Sequence, residues 1–159
     1  MKHWHYGVIA VLLVAVSSIG FADEADASSR HRLTDEQARV AVSVSELGPA
    51  QERYRKCVAL RESNNNPEAQ NPRSSAQGTY QFLDSQWRHG LAHDVTAALR
   101  KGGADVKGLR KALRDTPIKK WDPLAQDVGF SVALNANGKW SGAKHWVLAG
   151  HVCNRMVKW

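Results

Sequence analysis

The sequence predicts a mainly α fold with one brief extended segment or hairpin. Apolar residues recur at helical spacing in separate windows, Tyr54, Cys57 and Val58 in one and Leu124, Val128, Val132 and Ala133 in another. Helix starts and stops bracket these windows: Pro49 and Asp122-Pro123 at the openings, Asn64 to Pro67, Gly102-Gly103 and Asn137-Gly138 at the ends. Strand-like alternation is short, Thr79-Tyr80-Gln81-Phe82, polar against aromatic.

The chain opens on Lys2, an apolar core from Gly7 to Val16, and small residues ending at Ala22, which is the pattern of an export signal cleaved after Ala22. Ala25-Asp26-Ala27 is an alternative cleavage site, and an uncleaved anchor is the competing reading. No later stretch is apolar enough to span a membrane, so no stable span is expected once the signal is gone. Residues 23–48 read as a linker and a short helix. Residues 23–32 lack periodicity, whereas Thr34-Asp35-Glu36-Gln37 offers a cap and an acidic first turn, with Ala38, Val42 and Val44 as apolar contacts. Gly48-Pro49 separates this piece from residues 49–159, which form the main domain.

Pro49 to Glu62 reads as one helix, stopped by the run Ser63-Asn64-Asn65-Asn66-Pro67, because Asn accepts the left-handed cap conformation and Pro67 cannot continue the helix. Glu62 therefore falls in the last turn. Residues 67–78, with two prolines, two serines and Gly78, read as an irregular loop before the Thr79 to Phe82 segment. Asp84 or Ser85 caps a helix carrying Trp87 and Leu91, followed by two further helical pieces, Val95 to Lys101 and Val106 to Arg114. Asp122-Pro123 opens the last clear helix. Trp140, Trp146, Val147, Leu148, Val152 and Trp159 are expected to pack back on the core.

The whole chain carries 22 Lys and Arg against 15 Asp and Glu, a net charge of +7 that becomes +6 when Lys2 leaves with the signal. A single domain this basic is expected to meet a polyanionic surface or polymer: a bacterial wall, a membrane or a nucleic acid. Export makes a disulfide between Cys57 and Cys153 reasonable, with two buried free thiols as the alternative. Closing a loop of nearly a hundred residues would stabilise the fold by about 4–5 kcal/mol in the chain-entropy account.

Glu62 is the candidate catalytic residue. Opening an acetal between sugars requires a proton at the leaving oxygen, and a carboxylic acid supplies it only if it stays protonated near neutral pH. Glu62 lies four residues after Val58, on the same helix face, where an apolar wall raises a carboxyl pKa, and at a helix C-terminus, whose partial negative charge disfavours the carboxylate. Arg61 is adjacent in sequence, but neighbouring helical side chains diverge. Taken by position alone, Glu62 reads as an ordinary exposed last-turn glutamate. The amide- and hydroxyl-rich loop that follows, with Gly78, Tyr80 and Gln81, has the composition of a glycan cleft.

At this point the sequence resembles a known group. Glu62-Ser63, Gly78-Thr79-Tyr80-Gln81-Phe82 and Trp87 look like the Glu-Ser, Gly-x-x-Gln-Phe and Trp pattern of the transglycosylase-like domains of resuscitation-promoting factors, relatives of soluble lytic transglycosylases. Gln126, Gly138, Trp140, Trp146 and Cys153 resemble the ending of the same domains, so the likeness spans about residues 50 to 155. The resemblance implies a lysozyme-like α+β fold with a minimal β-hairpin, cleavage of the β-1,4 bond between N-acetylmuramic acid and N-acetylglucosamine, and no metal or organic cofactor. It implies Glu62 as acid and then base, with Gln81, Ser63 and Tyr80 holding the saccharide. Two departures stand out. The family cysteine directly precedes the catalytic Glu, whereas Cys57 is five residues earlier, and residues 95–120 are longer and more basic than those domains require.

No second carboxylate has a motif behind it. Glu68, Asp84 and Asp94 are nearest to Glu62 in sequence and read as surface or capping residues. The oxocarbenium-like intermediate could then be captured by the muramic acid's own 6-hydroxyl, leaving a 1,6-anhydro end, or by water. His89 and His93 have a metal-compatible spacing but no third ligand and read as solvated. The cations Arg100, Lys101, Lys107, Arg110, Lys111, Arg114, Lys119 and Lys120 suit a solvated face or anionic wall polymers and phospholipid better than nucleic acid. Trp87, Trp140 and Trp146 read as core, and Trp121 as the best candidate for an exposed ring against the sugar. The expectation is a monomeric muralytic enzyme, secreted or wall-associated, periplasmic in a Gram-negative host, with peptidoglycan glycan strands as partner. The alternative is a catalytically silent peptidoglycan-binding or signalling module, and a third reading is a cationic secreted protein that acts on membranes through residues 95–120.

Overall fold

A computed structural model describes residues 30–136 together with Trp146, Val152 and Cys153. The described residues form helices α1 (Asp35–Val44), α2 (Pro49–Ser63), α3 (Asp84–Lys101), α4 (Leu109–Asp115) and α5 (Pro123–Asn135), with a 3-10 turn at Ile118–Lys120. Two short strands, β1 (Ala76–Gln77) and β2 (Phe82–Leu83), pair antiparallel with Ala76 opposite Leu83 and Gln77 opposite Phe82. The molecule is mainly α with a minimal hairpin. Among the described residues, no helix is long and apolar enough to cross a membrane.

Local chemistry explains three of the helix ends. Thr34 and Gln37 form a reciprocal capping box at the start of α1. Asn64, at φ 56° and ψ 39°, closes α2 in the left-handed conformation that asparagine tolerates, and Asp122 caps α5 by accepting from the Leu124 N–H. Elsewhere tertiary packing prevails. The pieces expected at Asp84 and Val95 are one continuous helix, because Leu91, Ala92, Val95, Thr96 and Leu99 bury a single stripe that runs past Gly90. Helix α4 begins only at Leu109, since Gly108 at φ 75° turns the chain into it. Asp84 is the first residue of α3 rather than its cap. Its carboxylate instead accepts from the Ile118 N–H at 2.9 Å and faces Arg88 at 3.3 Å.

The segment before residue 49 belongs to the same core. Leu33 and Ala41 are buried, α1 packs on α5, and the Gln37 amide donates to the Asp105 carbonyl at 2.8 Å. Ala38 and Val44 pack against the core as expected, joined by Val40, whereas Val42, also expected as a contact, is exposed. At the other end, Trp146 is buried with its indole N–H on the Tyr80 carbonyl at 2.8 Å, and Cys153 is bonded to Cys57, so these two residues are held to the hairpin and to α2. Val152 is partly exposed, and the expectations for Trp140, Val147, Leu148 and Trp159 lie outside the described residues, as does the export signal. An aromatic cluster of Tyr54, Tyr80, Phe82, Trp87, Phe130 and Trp146 sits between α2, the hairpin and α5, with Phe130 4.6 Å from both Tyr80 and Trp146.

Candidate active site

Glu62 lies in the last turn of α2, two turns beyond Tyr54 and one beyond Val58, both fully buried. Its side chain is half-buried, and this desolvation holds the carboxyl above its ordinary pKa, against the weaker pull of the Arg61 cation. Burial first and the nearby Glu62 charge second push the Tyr54 hydroxyl up to about 12. The helix end is tied to the hairpin turn by Ser63, whose hydroxyl donates to the Thr79 carbonyl at 2.7 Å and accepts from the Asn66 N–H at 3.1 Å. Ser63 therefore works as a tie between two backbones, and the expected saccharide contact has no free hydroxyl proton behind it.

The turn between the strands, Gly78 to Gln81, is held from below by Gln126. This glutamine is fully buried, and its Oε1 accepts from the Thr79 N–H at 2.8 Å. Its Nε2 faces the carbonyls of Pro67, Ile118 and Trp121 at 3.1, 3.2 and 3.3 Å. One amide thus joins the loop after α2, the hairpin turn and the 3-10 turn, satisfying backbone groups that no regular element pairs. Gly78 is required for close approach, since a Cβ there would fall 2.5 Å from Gln126 Oε1, and its φ of 78° suits glycine. Gln81 is also left-handed, at φ 51°, and its amide nitrogen donates to the Gly78 carbonyl at 3.0 Å, which leaves Oε1 without a hydrogen bond among the described residues.

Tyr80 and Trp121 depart from expectation. Tyr80 is 2% exposed, its ring packed on Phe130, and its hydroxyl donates to Asp127 Oδ1 at 2.5 Å, with burial and the Asp127 charge raising the phenol pKa. Trp121 is fully buried, its indole N–H within 3.0 Å of the Leu113 carbonyl and 2.8 Å of the Thr116 carbonyl. The Lys-Lys-Trp-Asp-Pro context suggested a surface ring, yet the 3-10 turn swings it inward, so Trp121 is not a sugar platform. Trp146 is buried in the core as expected, while Trp87 is partly buried and packs against it.

A network that sequence reasoning missed adjoins the turn. Arg55 bonds Glu52 at 2.9 Å and lies 3.6 Å from Asp127 Oδ2, while burial raises the Asp127 carboxyl against the Tyr80 bond and the Arg55 charge. These side chains, with Ala59, Asn65 and Thr79, line a depression of about 340 Å³, and Glu62 is not part of its wall. The Glu52–Arg55 spacing signalled a helical pair, but nothing local links Tyr80 to Asp127, 47 residues away. The other acids near Glu62 in sequence are engaged elsewhere: Glu68 with Arg30, Asp94 with His93, Asp84 as described. His89 and His93 are exposed, and among the described residues no group of three or more His, Cys, Asp or Glu is arranged for a metal ion.

No family model matches the chain, and neither a curated protein nor a solved structure matches it significantly.

Proposed function

We propose that this chain is a peptidoglycan-cleaving enzyme of the transglycosylase-like kind, acting on the β-1,4 bond between N-acetylmuramic acid and N-acetylglucosamine. The observation that carries the reading is the half-buried Glu62 carboxyl, raised by desolvation at the end of α2, which Ser63 ties to the Gly78 to Gln81 turn. The helical core with its minimal hairpin and the Cys57–Cys153 bridge are compatible with it.

In this reading Glu62, protonated, gives its proton to the glycosidic oxygen as the bond to the muramic acid C1 breaks. The resulting carboxylate then takes a proton from the incoming hydroxyl. If that hydroxyl is the muramic acid's own, on C6, the product is a 1,6-anhydro end; if it belongs to water, the product is a reducing end. Gln81 is the remaining candidate for a saccharide contact, through its Oε1, which makes no hydrogen bond among the described residues. The protein would act in the bacterial wall, on peptidoglycan strands, as a secreted monomer.

Purified walls incubated with the full chain, followed by mass spectrometry of soluble fragments, test this directly. Wild type is expected to release muropeptides whose ends identify the reaction, and Glu62→Gln, with an unchanged circular dichroism spectrum, is expected to release at least about 10²-fold less. Sedimentation of both proteins with the walls but no release by either would replace the enzyme with a binding module.

A further inference from the structure

The basic segment is not absorbed by the Glu62 site. Its cations converge instead on a second feature, a depression of about 630 Å³ between the end of α3 and helix α4. Arg100, Lys107, Arg110, Lys111 and Arg114 surround it, with Asp105 as the one acid among the described lining residues. Helix α4 is sharply two-sided: Leu109 and Leu113 are buried in the core, while Arg110, Lys111 and Arg114 all stand on the opposite side. Gly108 enters that helix at φ 75°, and a Cβ built on it would meet nothing within 4 Å, so the floor is open.

Not all of this charge is compensated. Lys111 and Arg114 share Asp115, at 2.7 and 2.9 Å. Arg100, Lys107 and Arg110 make no ion pair among the described residues. Asp105 accepts from the backbone N–H of Lys107, so its carboxylate orders the loop. Lys101, Lys119 and Lys120, part of the same basic run in sequence, do not line the depression.

We propose that this trough binds a phosphodiester-linked polyol chain of the bacterial wall, one phosphate after another lying against Arg100, Lys107 and Arg110. Single charges at intervals along a flexible chain suit a recessed cluster of cations, and guanidinium groups bind phosphate oxygens in pairs. A bilayer is the poorer fit. Interfacial binding needs apolar or aromatic side chains flanking the cations, and the exposed large apolar residues among those described, Val42, Leu60 and Val152, lie outside the trough. The wall as location rests on the proposed function, but binding here is independent of Glu62, so the two readings fail separately.

The test is binding of the full chain to soluble poly(glycerol phosphate), compared with phosphatidylglycerol vesicles and with single-stranded DNA of equal charge. Wild type is expected to bind the polymer most tightly, with affinity falling on the order of tenfold or more between 50 and 200 mM salt, as release of counterions from about three phosphates requires. Lys107→Gln with Arg110→Gln, both exposed, is expected to weaken binding at least tenfold while leaving the thermal transition and muropeptide release unchanged. Arg53→Gln with Arg73→Gln removes the same charge from exposed positions outside the trough and is expected to change binding by less than twofold. Equal losses in the two double variants, or tighter binding to vesicles or DNA than to the polymer, would overturn the assignment.

Discussion

Glu62 and Asp115 occupy matching places and behave in opposite ways. Each lies in the last turn of its helix, α2 or α4, and each directly follows an arginine, Arg61 or Arg114. The Glu62 carboxyl is held above its usual range, chiefly by burial. That of Asp115 is lowered to about 2, chiefly by hydrogen bonds from Arg114 and then Lys111. Helix-end partial charge acts on both alike, so it does not separate them. The difference is packing. Asp115 is the final residue of α4, exposed and followed by extended Thr116, so Arg114 can swing onto it despite being the adjacent residue. Glu62 precedes another helical residue, its side chain half-buried, and Arg61 acts on it only through space. An arginine next door in sequence says little about a carboxylate until the surrounding packing is known.

The largest effect is expected from turning Glu62 into an amide. Glu62→Gln is expected to lower muropeptide release by 10²-fold or more, the range that a lost general acid accounts for, in a chromatographic assay of digested walls. Gln126→Leu attacks the same region from beneath. It leaves the Thr79 N–H and three carbonyls without their buried partner, and urea unfolding is expected to show a loss of about 3 kcal/mol or more.

The two carboxylates should also leave opposite marks on stability against pH. A raised folded pKa means that ionising Glu62 is harder in the folded chain, so its contribution becomes unfavourable as pH rises from the unfolded value through the folded one. The thermal transition of Glu62→Gln is therefore expected to gain on wild type as pH rises from 4 to 7. A subtler variant is Arg61→Gln. Removing the opposing cation raises the Glu62 pKa further, so the alkaline limb of the rate profile is expected to move to higher pH, with the maximal rate changed less than tenfold. Asp115→Asn should have the smallest effect. The lowered pKa gives stability that is present above the unfolded value near 3.8 and lost as pH falls toward 2, and full exposure keeps it small. Wild type and this variant are expected to converge in acid melting scans.

Legibility in the sequence followed locality. The α2 stop at Asn64, the Thr34 capping box and the Asp122-Pro123 start each depend on residues within four positions, and each was readable. The hairpin was readable as a composition and misplaced by a few residues: Thr79 to Gln81 form the turn, and the strands flank it. The alternation still had meaning, since Tyr80 and Phe82 point inward. Glu62 was legible as a last-turn carboxylate one turn after a valine. Its half-buried state was not, because it depends on what the rest of the chain brings against that end of α2.

Pattern and punctuation along the chain determined a mainly helical molecule, one hairpin region, a basic stretch near residues 100–120 and two cysteines available to pair. Tertiary structure alone decided that Trp121 turns inward, that Tyr80 belongs to Asp127, that Gln126 joins three loops and that five of the eight basic residues share one trough. The reason is that periodicity records which face of an element is apolar, while burial, hydrogen-bond partners and local field come from residues that approach from tens of positions away.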